Sequence, residues 1–336
     1  MGDWEVYFVL LDCESSFGHS IQKSKNVIFE YFNSPREVID YVNSIKPDFL
    51  VTEDKDLSEL RLFLRIKKAT KVKSAVYVQR LFGVHAIIDI FNLNCLPLRK
   101  KLLFKFSKLI PFVLLKSFYK QLLNQNDLIL ANSQITATLL HLLYGIEPTG
   151  LVYPPVNTEI FKPHEVEKRN QLLLYLGSHY GDTQEYLLRE ICELLKDKSF
   201  DVLVLGNKVV GDRLKQAFDV TNISGVSDEK LARIYSECAA TICSQKWELF
   251  GYVPVESMAC GTPVLAFDCM GPQETIIDGK TGWLAKNKQE FLAILSSVLE
   301  NRSILLNRDF IRDHVEEIFS INASVKHLKK VLIKNK

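Results

Sequence analysis

Several features are missing from this sequence, and each absence argues against one class of protein. No C-x-x-C pair occurs, and the seven cysteines stand singly, which is typical of free thiols in a reducing compartment rather than of a disulfide framework. The N-terminus has acids where a secretion signal needs bases, so we expect a cytoplasmic protein. Apolar runs reach about seven residues, against the roughly 20 that a transmembrane helix requires. A net charge of +2 is too small to imply wholesale nucleic-acid binding.

The composition that remains is that of a globular protein, with 47% apolar and 24% charged residues in 336. A chain of this length exceeds what one hydrophobic core usually spans, so we expect two domains. Runs of strand length, such as "EVYFVLLD", "NVIFEYF", "DFLVTE", "SAVYVQ" and "DLILAN", alternate with helical patterns, and "QLLLYLG", "DVLVLG", "TNIS", "ATICS" and "PVLAF" continue the series. Continuous apolar strands between helices predict parallel sheets covered on both faces. The predicted fold class is α/β, with two doubly wound Rossmann-like domains.

A proline-rich passage marks the expected domain boundary. "YPPVNTEIFKP" contains three prolines and no hydrophobic period, which predicts a stiff, extended connector. We expect an N-terminal domain at residues 1–152, a linker at 153–165 and a C-terminal domain at 166–312. Residues 313–336 are expected to form closing helices that return toward the N-terminal domain.

"WELFGYVPVESMACGTPVLAF", residues 247–267, contains two glutamates eight positions apart. Glu248 lies in the loop beyond the strand "ATICS", at the edge where open α/β sheets bind ligands. Gly251 predicts the start of a helix that carries Glu256 and ends at Gly261. A carboxylate accepts hydrogen bonds from two neighbouring hydroxyls, so this pair suits a ribose or hexose ring. The alternative is a solvated loop acid beside a glutamate stabilised by the helix dipole.

The surrounding residues carry a longer pattern. "S-x-x-x-E-L-F-G-x-x-x-x-E-S-M-A-C-G-T-P-V" resembles the donor-site signature of glycosyltransferase family 4, whose members have the GT-B fold, with two Rossmann-like domains facing across a cleft. "MGPQETIIDGKTGWLA" resembles that family's G-G-x-x-E-x-I-x-D-G-x-T-G-x-L. "ANSQITATLL" and "YPPVNTEIFKP" are similar to its interdomain passage, and "VEEIFS" to its closing helix. The resemblance covers roughly residues 127–320.

The resemblance implies a reaction and a role for several residues. Family members move a sugar from a nucleotide-sugar to an acceptor, mostly with retention of anomeric configuration, and need no bound metal or other cofactor. Glu256 would hold the ribose diol, and Glu248 would contact the sugar or the charge developing at the anomeric carbon. Phe250 and Gly251 would shape the sugar pocket. Cations, and backbone amides at the helix opening near "GPQE", would stabilise the leaving diphosphate.

The sequence departs from the family where the diphosphate is usually gripped. The family has Gly-Arg after the first strand of the C-terminal domain and Lys-Gly some residues later. Ser178 stands at the arginine position and Gln184 near the lysine position, and we keep Gly177 and Ser178 as donor-binding candidates. Each charge-assisted bond is worth roughly 1.5 to 3 kcal/mol, so either other cations replace the arginine and the lysine or the protein is a poor catalyst. The candidates, each with a plain surface charge as its alternative, are Lys208, Arg213 and Lys246.

The N-terminal half matches the family less closely. Many members have a histidine after the fourth strand, whereas "SAVYVQ" ends in Gln79 and His85 follows six residues later. His85 is our candidate for orienting the acceptor or the sugar. The alternative is an ordinary buried or surface histidine.

A basic stretch follows, because no acid occurs between Asp89 and Asp127 while seven cations do. Helical spacing over residues 98–110 places apolar side chains on one side. The other side carries Lys100, Lys101, Lys105 and Lys108. One interpretation is a core helix with a solvated face, and the other is contact with an anionic membrane surface. Nucleic acid is not expected, because no aromatic stacking surface lies among the basic residues.

The sequence thus predicts a cytoplasmic GT-B enzyme that moves a hexose or related sugar from a nucleotide-sugar to a hydroxyl acceptor. The acceptor would be a saccharide, free or lipid-linked, the latter with contact at the inner membrane face. A catalytically silent subunit that only binds nucleotide-sugar is the alternative from another class. The missing arginine and lysine favour it, and the glutamate pair speaks against it. A sugar phosphorylase or nucleotide-sugar epimerase of the same architecture is a further alternative.

Overall fold

The computed structural model describes the chain in eight segments. These are residues 5–11, 27–81, 112–167, 169–177, 185–196, 198–223, 225–300 and 306–336. Seven residues singled out in the sequence lie outside the described residues, namely His85, Lys100, Lys101, Lys105, Lys108, Ser178 and Gln184.

Parallel strands form the framework of the N-terminal domain. One pair consists of β1 (Val6–Leu11) and β2 (Val27–Phe32). A four-stranded sheet contains, in spatial order, β3 (Phe49–Glu53), β4 (Lys73–Val78), β5 (Leu128–Ala131) and β6 (Gly150–Leu151). The five strands expected from the apolar runs are therefore present, and β6 is too short to leave a pattern in the sequence.

The structure describes four helices in the N-terminal domain, and three of them begin at side-chain caps. They are α1 (Pro35–Ile45), α2 (Leu57–Thr70), α3 (Phe112–Asn124) and α4 (Gln134–Leu139), the last continuing as a π-helical turn, Leu140–Tyr144. Ser34, Asp56 and Ser133 accept first-turn amides of α1, α2 and α4. We call the main buried cluster the N-terminal core; it contains Leu60, Leu64, Val76, Val78, Leu81, Tyr119, Leu122, Leu123, Ile129, Ala131, Leu140, Tyr144, Ile146 and Leu249.

The C-terminal domain contains a larger parallel sheet. Its strands are β7 (Gln171–Tyr175), β8 (Asp201–Leu205), β9 (Val220–Ile223), β10 (Ala240–Cys243), β11 (Val264–Phe267) and β12 (Gly282–Ala285). They are hydrogen-bonded in the order β12-β11-β10-β7-β8-β9. The direction of winding therefore reverses between β7 and β10. Open α/β sheets bind ligands at the carboxyl edge beside such a reversal.

Helices cover both faces of this sheet, which makes it doubly wound. The chain forms α5 (Glu185–Leu195), α6 (Lys208–Ala217), α7 (Asp228–Glu237), α8 (Tyr252–Ala259), α9 (Met270–Thr275), α10 (Lys288–Glu300), α11 (Arg308–Ile318) and α12 (Ile321–Lys334). One face buries apolar residues of α5, α6 and α10, and the other buries those of α7, α8 and α11. Leucine, isoleucine and valine dominate the first of these clusters, as the continuous apolar strands predict.

The linker and the last helices connect the two domains. The Val156 N–H donates to the Phe319 carbonyl at 2.8 Å, so the linker lies along the junction of α11 and α12. Helix α12 then packs on the N-terminal sheet, where Leu332 is buried with Ala75, Leu128 and Leu130. Across the segments that the structure describes, no helix combines the length and the apolar content needed to cross a bilayer.

Candidate active site

The candidate site lies at the carboxyl edge of the C-terminal sheet, where the chain leaves β10. This strand pairs with β7 on one side and β11 on the other, so it borders the reversal of strand order. The chain stays buried at Gln245, whose side-chain amide donates to the Tyr175 carbonyl of β7 at 2.8 Å. It reaches the surface at Lys246 and Trp247, immediately before Glu248. The sequence prediction of a ligand-binding edge here agrees with the topology.

The loop that carries Glu248 is packed against both domains. Leu249 is 5% exposed and belongs to the N-terminal core, whereas Phe250 is 2% exposed and packs within the C-terminal domain. The Glu248 carbonyl accepts the Gly271 N–H at 2.7 Å. The backbone of this loop is thus fixed, while the Glu248 side chain is only half-buried.

Phe250, expected to shape the sugar pocket, lies in an aromatic cluster. Its ring centroid is 5.5 Å from that of Tyr252, 5.7 Å from Phe319 and 6.1 Å from Tyr153. With 2% of its surface exposed, it offers almost nothing to a ligand. Its burial supports a role in anchoring the loop that carries Glu248. Direct contact of Phe250 with a sugar stays a prediction, and the burial of the ring disfavours it.

Gly251 occupies a position that other residues adopt only with strain. Its φ is +90°, and a Cβ there would lie 3.2 Å from the Glu248 Cγ. A side chain would therefore push on the carboxylate-bearing residue itself. Helix α8 begins directly after Gly251 and is followed by Gly261 at φ +69°, so the predicted start and end of this helix are confirmed.

Glu256 lies on α8 with its carboxylate in a protected setting. Its Oε2 accepts a hydrogen bond from the Tyr235 hydroxyl of α7 at 3.1 Å. Burial raises the pKa of Glu256 to about 7, the Tyr235 bond acts against that rise, and the Asp228 charge adds to it. A carboxylate with this pKa gains from any further hydroxyl donors, since they favour its ionised form. The site can therefore accept a diol.

Glu248 follows β10 in the chain, and Glu256 bonds to Tyr235, whose pKa also responds to Cys243 of β10. Burial raises the pKa of the Cys243 thiol, and the Glu248 charge raises it further. Burial likewise raises the pKa of Tyr235, with Glu256 and then Cys243 as further causes. Cys243 thus lies within electrostatic range of both Glu248 and Tyr235. That Glu248 and Glu256 face one crevice stays a prediction.

Glycines also bring the loops after β7 and β8 together. Gly177 is buried with φ +78°, and its carbonyl accepts the Asn207 N–H at 2.9 Å. A Cβ on Gly206, whose φ is +119°, would lie 2.6 Å from the same carbonyl oxygen. Lys208, the exposed first residue of α6, follows directly. Gly177 and Lys208 therefore lie on adjacent loops at the carboxyl edge, and their contact with a donor stays a prediction.

The other two candidate cations have different surroundings. The Arg213 Nη2 lies 2.9 Å from the Glu185 Oε2, so this guanidinium would have to leave an ion pair to reach a diphosphate. The Lys246 ammonium lies 4.5 Å from the Phe267 ring centroid, in the exposed turn before Glu248. The geometry favours Lys246 over Arg213 as a substitute for the family's missing cations.

The helix opening near "GPQE" corresponds to α9, and its amides are less available than expected. The Gly271 N–H is used by the Glu248 carbonyl, and a Cβ on Gly271 would lie 2.4 Å from the Phe250 oxygen. The expectation that this amide serves a diphosphate is therefore wrong for Gly271. The packing has a physical reason, because the donor loop rests directly on the first turn of α9.

Sequence reasoning missed the partners of these residues. Tyr235 occurs in "ARIYSEC", where it has the pattern of a core residue, and nothing in that segment indicates a bond to Glu256. A second carboxylate, Asp54, was also missed. It is 4% exposed and accepts the amides of Gln79 at 2.7 Å and Leu81 at 3.0 Å, and the Tyr119 hydroxyl at 2.8 Å. Asp54 thus fixes the loop after β4, whose Gln79 stands at the family's histidine position.

The C-terminal half of the chain matches a known sequence family. The family of glycosyl transferases group 1 matches residues 156–314, which include both glutamates and the turn at Gly251. Over these residues the C-terminal domain is similar to the group 1 glycosyltransferases. The matched residues contain the whole C-terminal sheet, from β7 to β12.

Relatives support the same assignment and extend the fold to both domains. The D-inositol 3-phosphate glycosyltransferase of Nocardiopsis dassonvillei is 30% identical over 210 residues, which are 53% of this chain and 49% of the relative. The chain spans about half the length of the curated relatives it matches. Sucrose-phosphate synthase from Thermosynechococcus elongatus superposes with a TM-score of 0.69 at 15% identity, over 98% of this chain and 89% of that one. Anabaena Alr3699/HepE in complex with UDP gives 0.68 at 14% identity, over 92% and 87%. The predicted GT-B fold is confirmed.

Proposed function

We propose that the protein is a glycosyltransferase that moves a hexose or related sugar from a nucleotide-sugar donor to a hydroxyl of an acceptor. The observation that carries the proposal is the placement of Glu248 and Glu256 at the carboxyl edge of β10, beside the reversal of strand order. The similarity to the D-inositol 3-phosphate glycosyltransferase of Nocardiopsis dassonvillei supports it. So do the structures of Anabaena Alr3699/HepE with UDP and with UDP-glucose.

Glu256 binds the ribose of the donor in this proposal. Its carboxylate already accepts one bond from Tyr235 and has lone pairs left for two vicinal hydroxyls. Two such bonds would favour the ionised form and lower its pKa from about 7. The nucleotide would therefore bind mainly to the C-terminal domain.

Glu248 faces the sugar in this proposal, and the reaction retains the anomeric configuration. Its half-buried side chain follows a backbone that both domains hold, so a carboxylate here is preorganised rather than mobile. A fixed negative charge would stabilise the positive charge that develops at the anomeric carbon. Lys246 and Lys208 would balance the charge of the leaving diphosphate. No step in the proposal passes through a metal or a cofactor.

The acceptor in this proposal is a saccharide, and a lipid-linked one would be met at the cytoplasmic face of an anionic membrane. Leu114 of α3 and Leu142 of the adjoining π-helical turn are 59% and 68% exposed. Lys116 and Lys120 lie on the same helix as Leu114. Exposed apolar groups on elements that also carry cations suit a peripheral contact with anionic lipid. The chain segment just before α3 carries the lysines expected to face the membrane.

The test of the function begins with a thermal-shift panel of UDP-, GDP-, ADP- and TDP-sugars, because a ligand that binds only the folded state raises the melting temperature. The donor that shifts it is then incubated with candidate acceptors, and release of the nucleotide is followed. Release that depends on acceptor supports the proposal. Binding without release would indicate a silent subunit, and the absence of any shift would contradict the donor site.

The test of the membrane contact uses vesicle sedimentation. A variant with Gln at Lys100, Lys101, Lys105 and Lys108 should bind vesicles containing anionic lipid less than the wild-type chain, by roughly 1 kcal/mol per lysine near the surface. Neutral vesicles provide the matched control. Equal sedimentation of both proteins with anionic vesicles would remove the membrane contact from the proposal.

A further inference from the structure

Helix α4 of the N-terminal domain begins with two amides that the other domain satisfies. Ser133 caps the Thr136 N–H at 3.0 Å in the ordinary way. The N–H groups of Gln134 and Ile135 donate instead to Glu274 of α9, at 2.8 Å to Oε2 and 3.2 Å to Oε1. First-turn amides of a helix have no partner within the helix. A side chain of the C-terminal domain therefore completes the start of a helix in the N-terminal domain.

Tyr153 adds a third bond to the same carboxylate. Its hydroxyl donates to the Glu274 Oε2 at 3.1 Å. Tyr153 opens the linker, and its ring packs against Phe250 and Phe319. Burial, and then the Glu274 charge, raise the pKa of Tyr153 to about 12, so its hydroxyl stays a donor at neutral pH. Glu274 thus joins both domains and the linker at one point.

Helix α9 also supports the donor loop. The Gly271 N–H holds the Glu248 carbonyl at 2.7 Å, and the contact of Gly271 with the Phe250 backbone leaves no space for a side chain. Met270, at the start of α9, packs against the N-terminal core that contains Leu249. The backbone of Glu248 therefore rests on the helix that Glu274 bonds to the other domain.

We propose that Glu274 is a positioning residue that latches α9 to α4 and thereby sets where Glu248 lies relative to the N-terminal domain. The catalytic consequence rests on the proposed function, whereas the latch rests on the contacts themselves. Glu256 and Tyr235 belong to the C-terminal domain, so nucleotide binding does not need the latch. Loss of the latch should therefore reduce turnover and leave nucleotide affinity intact, which a merely structural role of Glu274 would not do.

Amide hydrogen exchange, measured by NMR on the full chain without substrate, tests the latch directly. Glu274→Gln preserves the size of the side chain and removes its charge. The Gln134 and Ile135 amides should then exchange about tenfold faster or more, since bonds to charged acceptors are the stronger ones. The Gly271 amide should also exchange faster, because the loop loses its support. Tyr153→Phe should give a smaller change of the same kind and keeps the test open if Glu274→Gln does not fold.

Glu290→Gln is the matched control. The Glu290 Oε2 accepts the Lys286 N–H at 2.7 Å, which is a bond from carboxylate to backbone within the C-terminal domain alone. It should leave exchange at Gln134 and Gly271 unchanged. An unchanged Gly271 amide in Glu274→Gln would overturn the proposal, and so would an equal effect of Glu290→Gln.

Kinetics supply the second measurement, with the donor chosen by the thermal-shift panel. In Glu274→Gln, kcat should fall about tenfold, because small displacements of a catalytic group are costly, while the Kd of the matching nucleoside diphosphate stays unchanged. Parallel loss of kcat and of nucleotide affinity would overturn the positioning role. If the wild-type chain turns over no donor while the exchange rates change as expected, the proposed function fails and the latch stands.

Discussion

Replacing Glu256 with glutamine should stabilise the ligand-free protein and weaken donor binding together. Glutamine has the same shape and its carbonyl oxygen accepts the Tyr235 hydroxyl, but it has no charge to bury. In the wild-type protein the carboxyl titrates at about 7, above its ordinary value of 4.5, chiefly because the side chain is desolvated. The folded state therefore binds this proton more tightly than the unfolded state does.

The sign and size of the effect follow from that difference. A carboxyl whose folded pKa is raised contributes stability that is fully present below the unfolded value and is lost as pH rises through the folded value. For Glu256 the window runs from 4.5 to about 7, which corresponds to about 3 kcal/mol lost above neutral pH. Glutamine cannot lose a proton. The variant should thus gain about 2 to 3 kcal/mol over the wild-type protein at pH 8 and much less at pH 5.

The affinity for the donor should depend on pH in the opposite direction to the stability of the ligand-free protein. If the ribose hydroxyls bond to the ionised carboxylate, protonation of Glu256 competes with the nucleotide. The wild-type affinity should then fall about tenfold between pH 8 and pH 6, since each unit below a pKa of about 7 adds tenfold competition. The affinity of Glu256→Gln should be lower at pH 8 and flat across the same range.

Two assays check these numbers. Thermal unfolding from pH 5 to 8 compares the stabilities of the two proteins, and calorimetry with the nucleotide compares their affinities. A stabilisation that is the same at pH 5 and pH 8 would refute the assignment of the shifted carboxyl to Glu256. Nucleotide affinity unchanged in the variant would refute the ribose contact.

Further predictions concern the loop, the diphosphate and the N-terminal domain. Gly251→Ala should lower the free energy of unfolding by about 1 to 3 kcal/mol, because φ at this position is +90°. It should also reduce kcat more than nucleotide affinity, because the new Cβ presses on Glu248. A wild-type kcat would contradict the account. Lys246→Gln should weaken binding of a nucleoside diphosphate about tenfold in calorimetry while leaving the bare nucleoside unaffected, and equal effects on both would exclude a phosphate contact. Asp54→Asn should lower the unfolding free energy by about 2 to 4 kcal/mol, because an amide N–H₂ faces backbone donors; a wild-type urea midpoint would contradict that.

The strand framework could be predicted because each buried strand appears in the sequence as a short apolar run. All four residues of β10 and of β11 are buried, so burial on both faces produced runs without alternation. The turn at Gly251 could also be predicted, since a positive φ before a helix selects glycine. Both glutamates were singled out from their positions relative to these elements, whereas their roles came from the family resemblance.

Partners from distant elements could not be predicted, because they meet only in the folded chain. Tyr235 reaches Glu256 from another helix, and Glu274 reaches Gln134 across the domain boundary. Phe250 looked like a pocket residue from its neighbours in sequence, yet its ring is buried among aromatic residues that the linker and the closing helix contribute. Such contacts depend on tertiary packing that no local pattern encodes.

The most direct test of the central claim compares Glu248→Gln and Glu256→Gln with the wild-type protein in calorimetric titrations at pH 8. Each protein is titrated with the nucleotide-sugar that the thermal-shift panel selects and with the matching nucleoside diphosphate. We predict that Glu256→Gln weakens both ligands about tenfold or more, whereas Glu248→Gln weakens only the ligand that carries the sugar. Wild-type affinities for both ligands in both variants would contradict the claim that these two carboxylates hold the donor.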